Sequence, residues 1–132
     1  METWKALAVL IGRILLVLIF LKSGTGKIGN LEGTAQYMIK HGMPFVTFFL
    51  YGAIFLELAG SITVILGFFA RWGALLLIIF LVPTTLIFHT NFNDPNQVVH
   101  FMKNVSMLGG CLILLSAGAG RFSLDHLWGK TT

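Results

Sequence analysis

The sequence predicts an all-α membrane protein, a four-helix bundle of four transmembrane helices arranged as two hairpins. Of its 132 residues, 56% are hydrophobic and only 11% are charged, whereas soluble domains average about 45–50% apolar and about 25% charged residues. The mean hydropathy is +0.87. The long apolar runs that carry this hydrophobicity lack the two-residue alternation of a membrane barrel. Each run is long enough to cross the hydrocarbon core once as a helix.

The four predicted helices cover about residues 4–22, 44–69, 72–89 and 100–118 of a single domain, residues 1–132. The first run is not expected to be a cleaved signal peptide, because Glu2 precedes it, Arg13 interrupts it and no small-residue cleavage pattern follows. Residues 22–43 are predicted as a long, glycine-rich connection with a short amphipathic piece around residues 34–40.

The charges indicate membrane topology. Nine Lys and Arg against five Asp and Glu give a net charge of +4. The basic residues are scattered between apolar runs, so a nucleic-acid partner is not expected. An even number of spans places both termini on one face, the terminal side, where Trp4, Trp72 and Trp128 would lie at the lipid–water interface. Since four basic residues flank each face, the positive-inside rule does not decide the orientation, and cytoplasmic termini are a working assumption.

Two ionisable residues, Arg13 and Glu57, are expected near the membrane midplane. An unpaired ionised side chain there costs between about 2.5 and more than 10 kcal/mol. The two residues are therefore predicted to face inward and to pair with each other or with a cavity. Such a pair would either fix the helix register or take part in proton movement and polar-ligand binding, and both readings stay open.

Polar groups from three helix ends are expected to meet at the opposite, non-terminal end of the bundle and to form a mouth. Ring faces beside hydrogen-bond donors are suited to holding a quinone head. The alternative is that the segment between the third and fourth predicted helices is polar only because it lies at the lipid–water interface, with residues 93–96 as a simple turn. The candidate ligand-binding residues are Ser23, Lys27, His89, Asn91, Phe92, His100, Lys103 and Asn104.

The sequence does not predict a metal site. His89, Asp94 and His100 match no short ligand motif. The single cysteine, Cys111, excludes an internal disulfide, a Cys-x-x-Cys pair and a thiolate zinc cage.

Several motifs follow one another in a specific order. The first helix ends in Lys22-Ser23-Gly24-Thr25-Gly26-Lys27, and the second contains Glu57 and Gly60. Phe88-His89 with Asn91-Phe92, Phe101-Met102-Lys103-Asn104 and a tail from Gly118 to Asp125 come next. In this order the motifs closely resemble the DoxX family of small bacterial and archaeal membrane proteins. Ala119 and Phe122 depart from the family's usual Gly-Pro-Gly-Arg-Tyr-Ser-Leu-Asp tail.

The resemblance implies a multi-pass inner-membrane protein of four helices, of a kind often classed as an oxidoreductase. The family name comes from a subunit of an archaeal thiosulfate:quinone oxidoreductase, and other members are linked to redox or thiol stress. We therefore expect a quinone-linked redox component whose mouth, at His89, Lys103 and Asn104, binds a quinone or a small polar substrate. Glu57, Arg13 and His89 are the candidate catalytic residues, with proton exchange or helix positioning as the expected role of Glu57 and Arg13.

No flavin, haem or iron–sulfur motif is found in the sequence. Electron transfer would therefore need a bound quinone or a soluble redox partner. The alternative is a membrane module without chemistry of its own that anchors a soluble partner or passes a small solute. A homo-oligomer is compatible with both readings.

Overall fold

Six helices follow one another along residues 2–129, the part of the chain that the computed structural model describes. They are α1 (Thr3–Gly29), α2 (Leu31–Lys40), α3 (Val46–Leu66), α4 (Ala70–Phe88), α5 (Pro95–Ala117) and the single turn α6 (Leu124–Leu127). Four of them, α1, α3, α4 and α5, are long and apolar enough to cross a membrane. The predicted fold class, an all-α bundle of four membrane-spanning helices, is confirmed.

The four long helices enclose a core of small and branched side chains. Helix α3 packs against both α1 and α4, α4 packs against α5, and α1 meets α5 over a shorter contact. Val17, Val64, Leu77 and Cys111, one from each long helix, are completely buried. Large apolar side chains on the outer faces are exposed, as expected where acyl chains rather than water surround the bundle.

Helix α1 is longer than predicted, because the glycine-rich segment is helical up to Gly29. At Gly24 the absence of a side chain lets α3 approach closely. A Cβ there would lie 2.8 Å from Leu58 Cδ2 and 3.4 Å from Glu57 Cβ. This tertiary packing offsets the cost of glycine in a helix, about 1 kcal/mol per residue.

Helix α5 begins before the predicted residue 100. The side chain of Asp94 accepts a hydrogen bond of 2.9 Å from the backbone N–H of Asn96, and Pro95 occupies the first helical position. An acidic cap followed by proline is a strong helix start.

The tail after α5 folds back against the turn between α3 and α4. The carboxylate of Asp125 accepts hydrogen bonds from the backbone N–H groups of Phe69 (2.7 Å) and Ala70 (3.0 Å), where α4 begins. The backbone N–H of Asp125 donates in turn to the carbonyl of Gly67, at 2.8 Å. Asp125 therefore caps α4 although it lies far along the chain, and its negative charge is favourable at a helix N-terminus.

Helix α2 covers the non-terminal end of the bundle, where the sequence predicted a short amphipathic piece. Its one buried side chain, Met38, packs against Leu50 and Ile54 of α3. Because α1 stops at Gly29, α2 encloses the space between the end of α1 and the start of α3.

Candidate functional site

A buried ion pair joins α1 to α3. Lys27 Nζ lies 2.5 Å from Glu57 Oε1, and it donates a second hydrogen bond of 2.7 Å to Ser23 Oγ. The Glu57 side chain is only 1% exposed, whereas that of Lys27 is 20% exposed. Lys27 Nζ also lies 5.3 Å from the ring centroid of Phe80 on α4. Three long helices therefore contribute to this centre.

Of the two alternatives predicted for this pair, the pairing of Arg13 with Glu57 is wrong, whereas Glu57 does face inward and line a cavity. Arg13 and Lys27 are fourteen residues apart on α1, which is about 21 Å at 1.5 Å per residue. The Arg13 side chain instead lies beside Gly67, where α3 ends, and Arg13 Nη2 donates to the carbonyl of Phe122 at 2.8 Å. Arg13 thus belongs to the terminal-side contact with the tail and not to the midplane.

The error has a structural cause. A first helix that ended at residue 22 would have left Lys27 outside the bundle, and Arg13 as the cation available to Glu57. Because α1 continues to Gly29, Ser23 and Lys27 lie one turn apart on the same helix face. Lys27 therefore reaches Glu57 from within the helix.

A cavity of about 990 Å³ occupies the non-terminal half of the bundle. It lies between α1, α3, α4 and α5, with α2 along one side, and most of its wall is apolar. Cavities of this size accommodate ligands as large as typical cofactors and drugs. The candidate site residues from the sequence that line it are Ser23, Lys27, Glu57, His89, His100, Lys103 and Asn104.

Residues at the mouth of the cavity are held by a small polar network. His89 Nδ1 and Gln97 Oε1 lie 2.9 Å apart, and the ring centroids of His89 and His100 are separated by 5.2 Å. Asn104 Nδ2 donates to Thr85 Oγ1 at 3.0 Å. These contacts fix an imidazole pair and an amide between the residue that follows α4 and the first three turns of α5.

Lys103 is exposed at this mouth. Within residues 2–129, no side chain forms an ion pair or a hydrogen bond with it. Its ammonium group can therefore turn toward a ligand without breaking a contact of the protein.

Two of the predicted ligand-binding residues do not line the cavity. Asn91 and Phe92 are exposed in the turn before α5, and the Phe92 ring packs edge-on against Phe101 with centroids 5.1 Å apart. The chain leaves the bundle after His89 and returns only at Pro95, so the intervening residues lie outside the cavity wall. The prediction that these two residues join the mouth is not supported by their positions.

An aromatic group from α2 and α4 was missed by the sequence reasoning. The rings of Tyr37, His41 and Phe88 form a triangle with centroid separations of 4.5, 4.8 and 5.3 Å, and all three residues line the cavity. The amphipathic pattern around residues 34–40 was the available signal. It would have identified these residues if the segment had been expected to fold over the end of the bundle.

The arrangement supplies hydrogen-bond donors and one buried acceptor at the inner end of an apolar space. An ammonium group has three N–H donors, and Ser23 and Glu57 occupy two of those of Lys27. One donor remains for a ligand. Within residues 2–129, no group of three or more His, Cys, Asp or Glu side chains is placed to hold a metal ion.

Comparisons with known proteins agree with the fold. The family model of DoxX matches residues 8–90. The inner membrane protein YqjF of Escherichia coli is 38% identical over 130 residues, which are 98% of this chain and 98% of that protein. The inner membrane protein YphA of the same organism is 36% identical over 128 residues, covering 92% and 91% of the two chains. No solved structure matches the chain significantly. With its four candidate spans, the chain is a multi-pass inner-membrane protein that belongs to the DoxX family.

Proposed function

We propose that this protein is a quinone-linked redox component whose cavity binds the quinone head. The observation that carries the proposal is the position of the Lys27–Glu57 pair at the inner end of a large apolar cavity. A quinone needs apolar walls for its ring and hydrogen-bond donors for its carbonyl oxygens. The cavity offers both, with Lys27 inside and His89, Lys103 and Asn104 at the mouth.

Lys27 and Glu57 have complementary roles in this proposal. The remaining N–H donor of Lys27 would bind one carbonyl oxygen, and its positive charge would stabilise the negative charge that develops there on reduction. Glu57 would hold the Lys27 ammonium group in a fixed position through their ion pair. A bound quinone supplies the two-electron chemistry that side chains lack.

The residues of the mouth connect the cavity to water. His89 and His100 line the cavity at its mouth, and each imidazole ring has nitrogen atoms that can donate or accept a hydrogen bond there. The reducing equivalents would come from a soluble partner that carries a flavin or an iron–sulfur centre, because the chain has no motif for either. Arg13 has no part in this chemistry, since it lies at the tail.

Quinone binding by the purified protein tests the proposal. The probe is decylubiquinone, and its dissociation constant is measured for the protein in lipid nanodiscs. Lys103→Ala should raise the Kd by about tenfold or more, because a hydrogen bond from a charged group contributes about 1.5–3 kcal/mol. His100→Ala should also weaken binding.

Matched variants outside the cavity serve as controls. Lys40 is exposed on α2, and His126 is exposed on the terminal side. Lys40→Ala and His126→Ala should leave the Kd within about twofold of the unmodified value, a difference of only about 0.4 kcal/mol. Absence of saturable binding to the unmodified protein, or equal losses in all four variants, would refute the proposal. Absence of binding would favour the alternative, a membrane module without redox chemistry.

A further inference from the structure

The contact between α3 and α4 is tight at the terminal side. A Cβ on Gly60 would lie 2.8 Å from Leu77 Cδ2 and 3.1 Å from the backbone oxygen of Gly73. A Cβ on Gly73 would lie 3.0 Å from the backbone oxygen of Gly60 and in steric conflict with Thr63. The two helices therefore touch almost backbone to backbone, and no ligand can pass between them here.

Toward the non-terminal side the same two helices leave a gap. On α3, Phe48, Gly52 and Phe55 are spaced at i, i+4 and i+7, so they share one face. All three line the cavity, and a Cβ on Gly52 would have no heavy atom within 4 Å. Gly52 thus marks open space and not a close contact, in contrast to Gly60.

The facing wall of the gap comes from α4. Ile79, Pro83 and Ile87 are spaced at i, i+4 and i+8, and they also line the cavity. Phe48 and Phe55 are 73% and 63% exposed, and Ile79 and Ile87 are 49% and 41% exposed. Side chains that line a cavity and are exposed to this extent also form part of the outer surface. The cavity is therefore open sideways between α3 and α4.

This lateral opening differs chemically from the mouth. The five side chains named on its two walls are all apolar, and it lies along two helices that are long and apolar enough to cross the membrane, so acyl chains face it. The charged and imidazole groups lie at the inner end and at the mouth. A ligand that fits both regions has a polar head and a long apolar tail.

We infer that the gap between α3 and α4 is a lateral portal through which the prenyl tail of a membrane quinone extends from the cavity into the bilayer. The inference rests on the proposed function, and it assigns the substrate class as tailed, lipid-soluble quinones rather than tail-less ones. The head would lie between Lys27 and the mouth, while the tail would pass Gly52 and Pro83. Tail contacts would then contribute to affinity in proportion to the apolar area that they bury.

A variant that fills the portal tests the inference. Gly52→Phe places a ring in open space, and Gly109→Phe is its control. Gly109 is exposed on α5, a Cβ there also meets nothing within 4 Å, and it does not line the cavity. Two probes share one head: decylubiquinone, and the same dimethoxy-methyl-benzoquinone without a tail.

Gly52→Phe should raise the Kd of decylubiquinone about tenfold or more, the effect of losing about two buried methylene groups. It should leave the Kd of the tail-less quinone within about twofold, the scatter expected of a variant that makes no contact with the head. Gly109→Phe should leave both values unchanged. Ile79→Trp, which narrows the gap from the α4 side, should reproduce the selective loss and provides the test if Gly52→Phe does not fold.

The outcomes separate the two proposals. If the unmodified protein binds neither quinone, the proposed function is refuted. If it binds both, and Gly52→Phe and Ile79→Trp weaken neither or weaken both equally, the portal is refuted while quinone binding stands. Selective loss of the tailed quinone supports both.

Discussion

Removal of the Glu57 charge should reveal which cation it pairs with. In the substitution Glu57→Gln, Lys27 loses the carboxylate that lies 2.5 Å from its Nζ. Truncating one partner of a buried pair costs about 3–5 kcal/mol. Since the Lys27 side chain is 20% exposed and lines the cavity, partial solvation of the stranded ammonium reduces the expected loss to about 2–3 kcal/mol.

A double-mutant cycle isolates this pairwise energy. Glu57→Gln should cost less than about 1 kcal/mol in a Lys27→Met background, because no charge is then stranded, which gives a coupling energy of about 2 kcal/mol. The matched cycle uses Arg13→Met. Arg13 and Glu57 lie far apart along the bundle, so their effects should add within about 0.5 kcal/mol.

The free energy of unfolding can be measured by titrating the purified protein from mild-detergent micelles into SDS and following helicity by circular dichroism. The same titration of the unmodified chain supplies the reference. A coupling energy above about 1 kcal/mol between Arg13 and Glu57, or none between Lys27 and Glu57, would contradict the pairing described above.

Three further predictions concern the packing that positions the site, and all are measured by the same SDS titration. Asp125→Ala should lower the free energy of unfolding by about 3 kcal/mol, because two backbone N–H donors at the start of α4 lose a charged acceptor. Asp94→Ala removes an exposed helix cap and should lower it by only about 1 kcal/mol. Equal losses would show that the capping of α4 by the tail contributes no more than an ordinary exposed cap. Gly67→Ala should lower the free energy of unfolding by about 2–4 kcal/mol, since Gly67 has φ +68° and an added Cβ would collide with Arg13 and Ser123. A neutral effect would show that the tail does not pack against Gly67. Gly26→Ala should stabilise α1 by up to about 1 kcal/mol, because a Cβ at this position meets no heavy atom within 4 Å. The Gly24→Ala variant should be less stable than the Gly26→Ala variant by about 1–3 kcal/mol, because a Cβ at residue 24 would collide with the Leu58 side chain. Similar effects at the two positions would refute the close approach of α1 and α3.

The residues at the mouth show how much of the candidate site can be predicted from the order of the helices along the chain. Ser23, Lys27, His89, His100, Lys103 and Asn104 were predicted to meet, and all of them line the cavity. The prediction follows from topology. Because successive spans run in opposite directions, the ends of the first and third predicted helices and the start of the fourth lie on the same side of the membrane. Asn91 and Phe92 share that side of the bundle but not the cavity wall, since only the local path of the turn decides which residues face inward.

The length and hydropathy of the apolar segments determined the number of spans and the fold class. These are local properties, and the fixed thickness of the hydrocarbon core converts them directly into membrane-crossing helices. Tertiary structure alone decided the ionic partners. Glu57 pairs with Lys27 because α1 is helical to Gly29 and because Gly24 lets α3 approach at the right depth. Arg13 lies at the tail, where Asp125 caps α4 across more than fifty residues of sequence. Pairings of this kind depend on the axial position and rotation of each helix, which packing between whole helices sets and which no single segment encodes.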